Sequence, residues 1–314
     1  MVEIIGGVLK TDDVTKNAMG GTELIAHEMV KRLDPELLKG FQIIHSRVGE
    51  LDNSKKKVLV LHDLPNDPMN EHLKNGGYNK FDKLVFVSNW QMQAFINYFS
   101  IPWYRCVVMQ NAINTLEKTN RVKDKVKLIY HTTPHRGLNI LLSAFAAILD
   151  NIEEIDITLD VYSSFNVYGW PERDADYAGL FEFCKQHPKI NYFGSVSNAD
   201  VKTALSQADI FAYPSVWPET SCIALMEAMN AGLVCVHSNY AALPETAANW
   251  TNMYQYQDNE RDHVKIFTST LLNSIHMYNA GLMDNHVQNQ KSYTDIFYSW
   301  ERRQFQWEYL LRSI

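Results

Sequence analysis

Cysteine is scarce in this chain, with four in 314 residues, and no two are spaced Cys-x-x-Cys. Cys106, Cys184, Cys222 and Cys235 lie in apolar or helical contexts, where buried, reduced thiols belong. A reducing, cytoplasmic setting is therefore expected. No apolar run approaches the ~18 residues that a membrane span needs. The N-terminus enters the strand-like Val2-Glu-Ile-Ile5 without a basic segment and apolar stretch, so no secretory signal is expected, and the sequon Asn249-Trp-Thr251 is then incidental. There is no basic surplus either. The net charge is −7, which excludes a general nucleic-acid binder. Residues 1–115 balance at 13 basic and 13 acidic side chains, a poor grip on an anionic lipid surface, so membrane contact is at most peripheral. No Asp-x-Asp pair stands at a strand end, and His131-x3-His135 is interrupted by Pro134, so neither a metal–diphosphate site nor zinc is expected. No cofactor is called for.

Short Val/Ile/Leu-rich runs alternate with helical patterns. The expected strands are Val2–Leu9, Phe41–His45, Val58–His62, Leu84–Ser88, Cys106–Met109, Val126–His131, Ile157–Tyr162, Ile190–Phe193, Ile210–Tyr213 and Leu233–His237. Thr22–Leu33, Leu138–Leu149 and Val201–Ala208 have helical spacing. Continuous apolar strands separated by helices predict an α/β protein with parallel sheets covered on both faces. The polar stretch Thr115–Lys125 separates two such runs, so the expected division is 1–115, 116–290, and a final aromatic, charged segment 291–314.

The richest stretch is residues 218–236. Pro218-Glu219 opens a loop, a helix follows with Glu227 two turns inside it, and Gly232 precedes a strand. This places Glu219 at a helix N-terminus, where free N–H groups and the dipole favour phosphate, with Thr220, Ser221 and Cys222 supplying backbone donors. Glu227, among Leu225, Met226, Ala228 and Met229, faces a pocket or needs a buried partner. Two carboxylates beside an anion site fit a ligand with both phosphate and hydroxyl groups, such as a sugar nucleotide. Arg136 precedes Gly137 at a helix start, a position suited to bidentate phosphate binding. Gly20-Gly21 before a helix is either a turn or a close approach of backbone to a diphosphate. His62-Asp63 ends a strand, where α/β sheets bind ligands, with Asp63 either orienting His62 or forming the turn.

These residues carry a resemblance. Glu219-x7-Glu227, closed by Glu227-Ala-x-x-x-Gly232, is similar to the donor-site signature of retaining glycosyltransferases of family 4, which have the GT-B fold. Gly20-Gly21-Thr22-Glu23, Leu84–Gln91, Asn111–Asn114 and Arg136-Gly137-Leu138 resemble further segments of that family, in its order. The resemblance implies two doubly wound Rossmann-like domains facing a cleft, with the final helix crossing back to the first. It implies metal-independent, retaining transfer of a hexosyl group from a nucleotide sugar to a glycan, lipid-linked or other hydroxyl acceptor. By the same resemblance Glu219 contacts the transferred sugar and Glu227 the ribose hydroxyls. Arg136, Gly20 and Gly21 then meet the diphosphate, and Gly194 and Val196 touch the base through backbone groups; His62, from its strand-end position, is a candidate to line the reaction centre on the acceptor side. The family often has a second basic residue where this chain has His131. If His131 shares the phosphate, affinity should fall as pH rises through about 6–7. The alternatives are a non-catalytic nucleotide- or glycan-binding protein of the same fold, or a nucleotide-sugar epimerase.

Overall fold

Short apolar runs fold as strands of two separate sheets, one in each of two units: Met1–Ile113 with Tyr298–Ile314, and Asn114–Phe297. The computed structural model describes residues 3–4 (backbone only), 20–117, 125–152 and 154–314. Of the expected strand Val2–Leu9, only Glu3–Ile4 falls within that range; the rest lies outside the described residues, as do positions 118–124 of the polar stretch.

In the first unit, β1 (Glu3–Ile4) is followed by α1 (Gly21–Arg32), α2 (Pro35–Leu38), β2 (Phe41–His45), β3 (Lys56–Leu61), β4 (Lys83–Phe86), α3 (Asn89–Phe99) and β5 (Cys106–Val108). The strands lie side by side in chain order, β1 antiparallel to β2 and the rest parallel. No helix joins β2 to β3. Instead the buried amide of Gln42 ties the connection down, donating to the Glu50 carbonyl at 2.8 Å and accepting from the Asp52 N–H at 2.9 Å. Ile44, Leu59, Leu61, Phe86, Phe95 and Phe99 form the core beneath.

In the second unit come β6 (Lys125–Tyr130), α4 (Leu138–Leu149), β7 (Asp156–Val161), α5 (Ala178–Gln186), β8 (Ile190–Tyr192), α6 (Asn198–Gln207), β9 (Ile210–Tyr213), α7 (Ile223–Asn230), β10 (Val234–Ser238), α8 (Leu243–Ala247), β11 (Asn252–Tyr254), α9 (Glu260–Asn279) and α10 (Asp284–Phe297). All six strands are parallel, in the order β11-β10-β9-β6-β7-β8. The chain thus runs outward from β6 in one direction and restarts at β9 in the other, the strand order of dinucleotide-binding folds. α4 is apolar nearly all round because it is covered twice, with Leu138, Leu141, Leu142 and Phe145 buried and α9 packed against it. α10 lies on α7, where Asn230 reaches Thr294 (3.1 Å) and Asp295 (2.7 Å) and also accepts the Leu116 N–H at 2.7 Å. Leu116, inside the expected linker, is therefore core of this unit.

The last helix, α11 (Trp300–Ser313), belongs to the first unit. Ile113 donates to the Tyr298 carbonyl at 2.8 Å, Arg303 reaches the Asn111 carbonyl at 3.3 Å, and Trp300, Trp307 and Leu311 are buried.

Candidate active site

In the second unit the sheet order reverses between β6 and β9. At such a point the loops leaving the carboxyl ends of the two strands diverge and open a crevice. Those loops are residues 131–137 and 214–222, which hold most of the residues singled out in the sequence. Gly137 has φ +114°, and a Cβ there would lie 2.2 Å from the Pro214 carbonyl oxygen. Only glycine lets the two loops close on each other here.

Arg136 sits in the turn Pro134–Arg136 and directs its guanidinium at Glu219. Its Nη2 also donates to the Tyr168 hydroxyl at 3.4 Å. Glu219, 5% exposed, accepts a second hydrogen bond from the Tyr213 hydroxyl at 2.5 Å. Burial works hardest against the charge on Arg136, but Glu219 together with Tyr168, Tyr213 and Cys222 outweighs it and holds the guanidinium firmly protonated. Burial, and then the Glu219 charge, push the Tyr213 hydroxyl and the Cys222 thiol well up. Tyr213 therefore stays a donor, and Cys222 stays a thiol rather than a nucleophilic thiolate.

Two expectations for Glu219 and Glu227 change. α7 begins at Ile223 with Cys222 as its N-cap, so Glu219 is in the preceding loop and not at the helix N-terminus. It is held there because its N–H bonds the Trp217 carbonyl (2.9 Å) and its carbonyl accepts the Ala242 N–H (3.0 Å). Glu227 is little more than one turn inside α7, not two. It is half-buried and has no hydrogen-bonded side-chain partner among the described residues; desolvation lifts its carboxyl to about 7, with Lys202 pulling the other way. His131 also departs from expectation. Burial lowers it to about 4, against a small opposing effect of the Ala224 backbone, so it is neutral at pH 7 and cannot titrate at 6–7.

Several buried polar atoms around this crevice have no hydrogen-bond partner among the described residues: His131 Nε2, Thr133 Oγ1, His135 Nδ1, Arg136 Nε, Ser163 Oγ and Ser221 Oγ. Buried polar groups are nearly always satisfied, and each one that is not costs about 1–3 kcal/mol. Their concentration at the ends of β6, β7 and β9 marks a place built for a polar ligand. An aromatic wall stands beside it. His135 stacks on Phe165 (centroids 5.1 Å apart, planes at 15°) and meets the edge of Trp217 at 4.8 Å. Gly194, with φ +64°, and Val196 lie in the loop after β8, at the same end of the sheet. Asp174-Ala-Asp176 lies in the turn Pro171–Tyr177, where the Asp174 carboxylate is occupied by the Phe165 N–H (2.7 Å) and the Ser164 hydroxyl. Among the described residues no group of three or more His, Cys, Asp and Glu side chains forms a metal-ligand set.

The remaining expected residues belong to the first unit. Gly20 is the N-cap of α1 and Gly21 its first residue. His62 lies just past β3, and Gln91 fixes that exit by donating to the Leu61 (3.2 Å) and Asp63 (2.8 Å) carbonyls on either side. The ring of His62 pairs with His45, Nδ1 of His45 lying 3.0 Å from Nε2 of His62. The Asp63 carboxylate lies 3.9 Å from Arg47.

Tyr213, Tyr168, Trp217 and His45 were not singled out from sequence. Tyr213 and His45 end apolar strands, and a polar tip at a buried strand end is a usable signal. Tyr168 joins the site through its non-local contact with Arg136, and Trp217, in the same loop as Glu219, brings its ring against His135.

The sequence model for the family described as Glycosyl transferases group 1 matches residues 114–276, just over half of the chain. The phosphatidylinositol N-acetylglucosaminyltransferase GPI3 subunit of Saccharomyces cerevisiae is 24% identical over 152 residues, 48% of this chain and 32% of the relative, so the match spans about a third of that protein. Among solved structures, Anabaena HepE in complex with UDP-glucose is similar over 93% of this chain and 82% of its own (TM-score 0.65, 13% identity). The pneumococcal O-GlcNAc transferase GtfA in complex with UDP and GlcNAc is similar over 83% of this chain and 53% of its own (TM-score 0.63, 11% identity). At these identities the likeness speaks for the fold: α/β, of the GT-B type. No helix among the described residues is long and apolar enough to cross a membrane.

Proposed function

Because the chain belongs to the group 1 glycosyl transferases, we propose that it moves a sugar from a nucleotide sugar to a hydroxyl of a glycan or lipid-linked acceptor. The observation that carries this is the set of unsatisfied buried polar atoms gathered around the Arg136–Glu219 pair at the strand-order reversal. A nucleoside diphosphate sugar has the groups that would satisfy them. UDP is the first donor base to try, since two similar structures hold UDP or UDP-glucose.

In this proposal Arg136 meets the diphosphate through the Nε that has no partner among the described residues. The first-turn N–H groups of α7, Ser221 and a neutral His131 supply further donors. Glu219, anchored by Tyr213, orients the sugar hydroxyls, and Glu227 accepts from the ribose. The Gly194 and Val196 backbone is assigned to the base, Gly20 and Gly21 to the diphosphate, and His62 to the acceptor side. Transfer is of the retaining, family 4 kind. The acceptor oxygen bonds to the anomeric carbon as the sugar–diphosphate bond breaks, and the acceptor's proton passes to a diphosphate oxygen. Fixed cationic and N–H donors stabilise the charge that develops there. No metal ion or other cofactor is assigned a part. Four cysteines with no disulfide among the described residues fit a cytoplasmic location.

The test is a thermal-shift and calorimetric screen of UDP-, GDP-, ADP- and TDP-linked sugars, followed by NMR of the product's anomeric configuration. Binding of one donor, with its slow hydrolysis and retained configuration in the product, is expected. A donor that binds and stays intact with every acceptor would mean a binding protein without turnover. No binding by any donor would refute the proposal.

A further inference from the structure

The second unit carries a stack of rings that the proposed donor site does not use. β10 and β11 are neighbours in the sheet and end side by side, at Ser238 and Tyr254. Tyr240 and Tyr256 follow these strand ends with their rings face to face, centroids 4.1 Å apart and planes at 12°. The pair is tied down. Asn239 donates its N–H to the Tyr254 carbonyl (2.8 Å) and its Nδ2 to Gln255 Oε1 (2.9 Å), and its Oδ1 accepts the Tyr256 N–H at 2.8 Å. The buried His263 of α9 meets Tyr256 at right angles with centroids 5.3 Å apart, its Nε2 lying 2.7 Å from the Tyr254 hydroxyl. Tyr256 is thus backed by protein. Tyr240 has no second ring or cation against it among the described residues, and neither tyrosine's hydroxyl is hydrogen-bonded to one of them. Both side chains are half-buried.

The loop that presents Tyr240 is joined to the candidate site. Ala241 takes φ +53°, a left-handed conformation that alanine resists, and the next residue, Ala242, donates its N–H to the Glu219 carbonyl at 3.0 Å. Sheet order decides what the stack faces. The base is assigned to the loop after β8 and the diphosphate to the reversal between β6 and β9; β10 and β11 lie on the opposite flank, beyond the strand that leads to Glu219. We propose that Tyr240, supported by Tyr256, is the platform for a pyranose ring of the acceptor. The C–H bonds on one face of a pyranose carry partial positive charge and lie flat against the electron-rich face of an aromatic ring. Its hydroxyls reach the ring's rim, where phenolic groups both donate and accept. This rests on the proposed transfer reaction, in which Glu219 holds the donor's sugar.

The probes are the methyl glycosides of glucose, galactose, mannose and N-acetylglucosamine, titrated against the full chain by saturation-transfer-difference NMR, with and without the nucleotide sugar selected in the donor screen. At least one is expected to bind with its C–H face nearest the protein. Tyr240→Leu, which keeps apolar bulk, should weaken that glycoside by about tenfold, the worth of one ring stack. Tyr240→Trp should hold it at least as tightly as the parent. Affinity for the nucleotide and for the nucleotide sugar, by calorimetry, should be unchanged in both variants. Silence from every glycoside in the parent chain would overturn the inference, as would equal binding by parent and a folded Tyr240→Leu, or loss of binding in a folded Tyr240→Trp. Lost nucleotide affinity in Tyr240→Leu would move the stack to the base site, and lost affinity for the nucleotide sugar alone would assign it to the transferred sugar; either result also overturns it. Should every donor fail to bind, the proposed function falls, while the titration without nucleotide still decides whether a pyranose sits on Tyr240.

Discussion

Arg136 and Glu219, 83 residues apart in sequence, form a buried ion pair that neither could sustain alone. Removing one partner of such a pair leaves an uncompensated charge in a poorly solvated place, which costs about 3–5 kcal/mol. Arg136→Ala should therefore lose about 3 kcal/mol of stability in urea unfolding and weaken binding of nucleoside diphosphates far more than of the bare nucleoside. Equal losses for the two ligands would detach Arg136 from the phosphate.

Glu227 supplies a pH signature. Its carboxyl holds a proton up to about 7 in the folded chain, against an ordinary 4.5. The folded state thus binds that proton more tightly than the unfolded state does. This group's share of stability is greatest below pH 4.5 and declines as pH rises to 7, by about 3 kcal/mol at most. Glu227→Gln should remove that decline, seen by comparing urea unfolding of the two proteins at pH 4.5 and 7.5. Ribose hydroxyls donating to the carboxylate favour its charged form. Nucleoside binding near pH 6.5 should then release protons from the parent protein and not from the Gln variant, as calorimetry in buffers of different ionisation enthalpy would reveal. Identical pH profiles of stability would show that Glu227 is not desolvated.

Gly137→Ala should be among the most damaging single changes in the second unit. The added methyl would overlap the Pro214 carbonyl and hold alanine at a φ it resists. A loss of more than about 3 kcal/mol is expected, with the loops at 131–137 and 214–222 pushed apart. Nucleotide affinity should fall further than that of a variant equally destabilised elsewhere. A Gly137→Ala protein with unchanged melting temperature would show that the loops separate freely.

Turnover should persist in excess chelator. The charge of the diphosphate is assigned to Arg136 and to fixed N–H donors, and the carboxylate of Asp174 is taken by Ser164 and Phe165. Complete loss of activity in EDTA, restored by magnesium or manganese at constant ionic strength, would mean that a metal ion takes part.

Much of the fold was legible because its signals are local. Phe41–His45, Ile210–Tyr213 and Leu138–Leu149 form as expected, since uninterrupted apolar runs have few other ways to be buried. β11 went unseen because three residues beginning with asparagine carry no periodicity. At the site, Arg136 could be placed in its turn before Gly137, but Glu219 lies in the loop ahead of α7 and Glu227 one turn inside it, not two, and the electrostatics of all three could not be read. His131 looked like a partial cation and is neutral, because the desolvation that decides it comes from residues far along the chain, Phe211 among them. Nor does any sequence pattern announce which buried atoms will lack a partner.

The return of α11 to the first unit sets an order of events during synthesis. The second unit is one unbroken stretch, Asn114–Phe297, and can close as soon as its last residue is free of the ribosome. The first unit is begun earlier but cannot finish, because Trp300, Trp307 and Leu311 are part of its interior. At the usual pace of translation it waits roughly ten to forty seconds for them. The domain that comes first in the sequence is thus the last to be completed, and for that interval its apolar surface is a natural client for a chaperone.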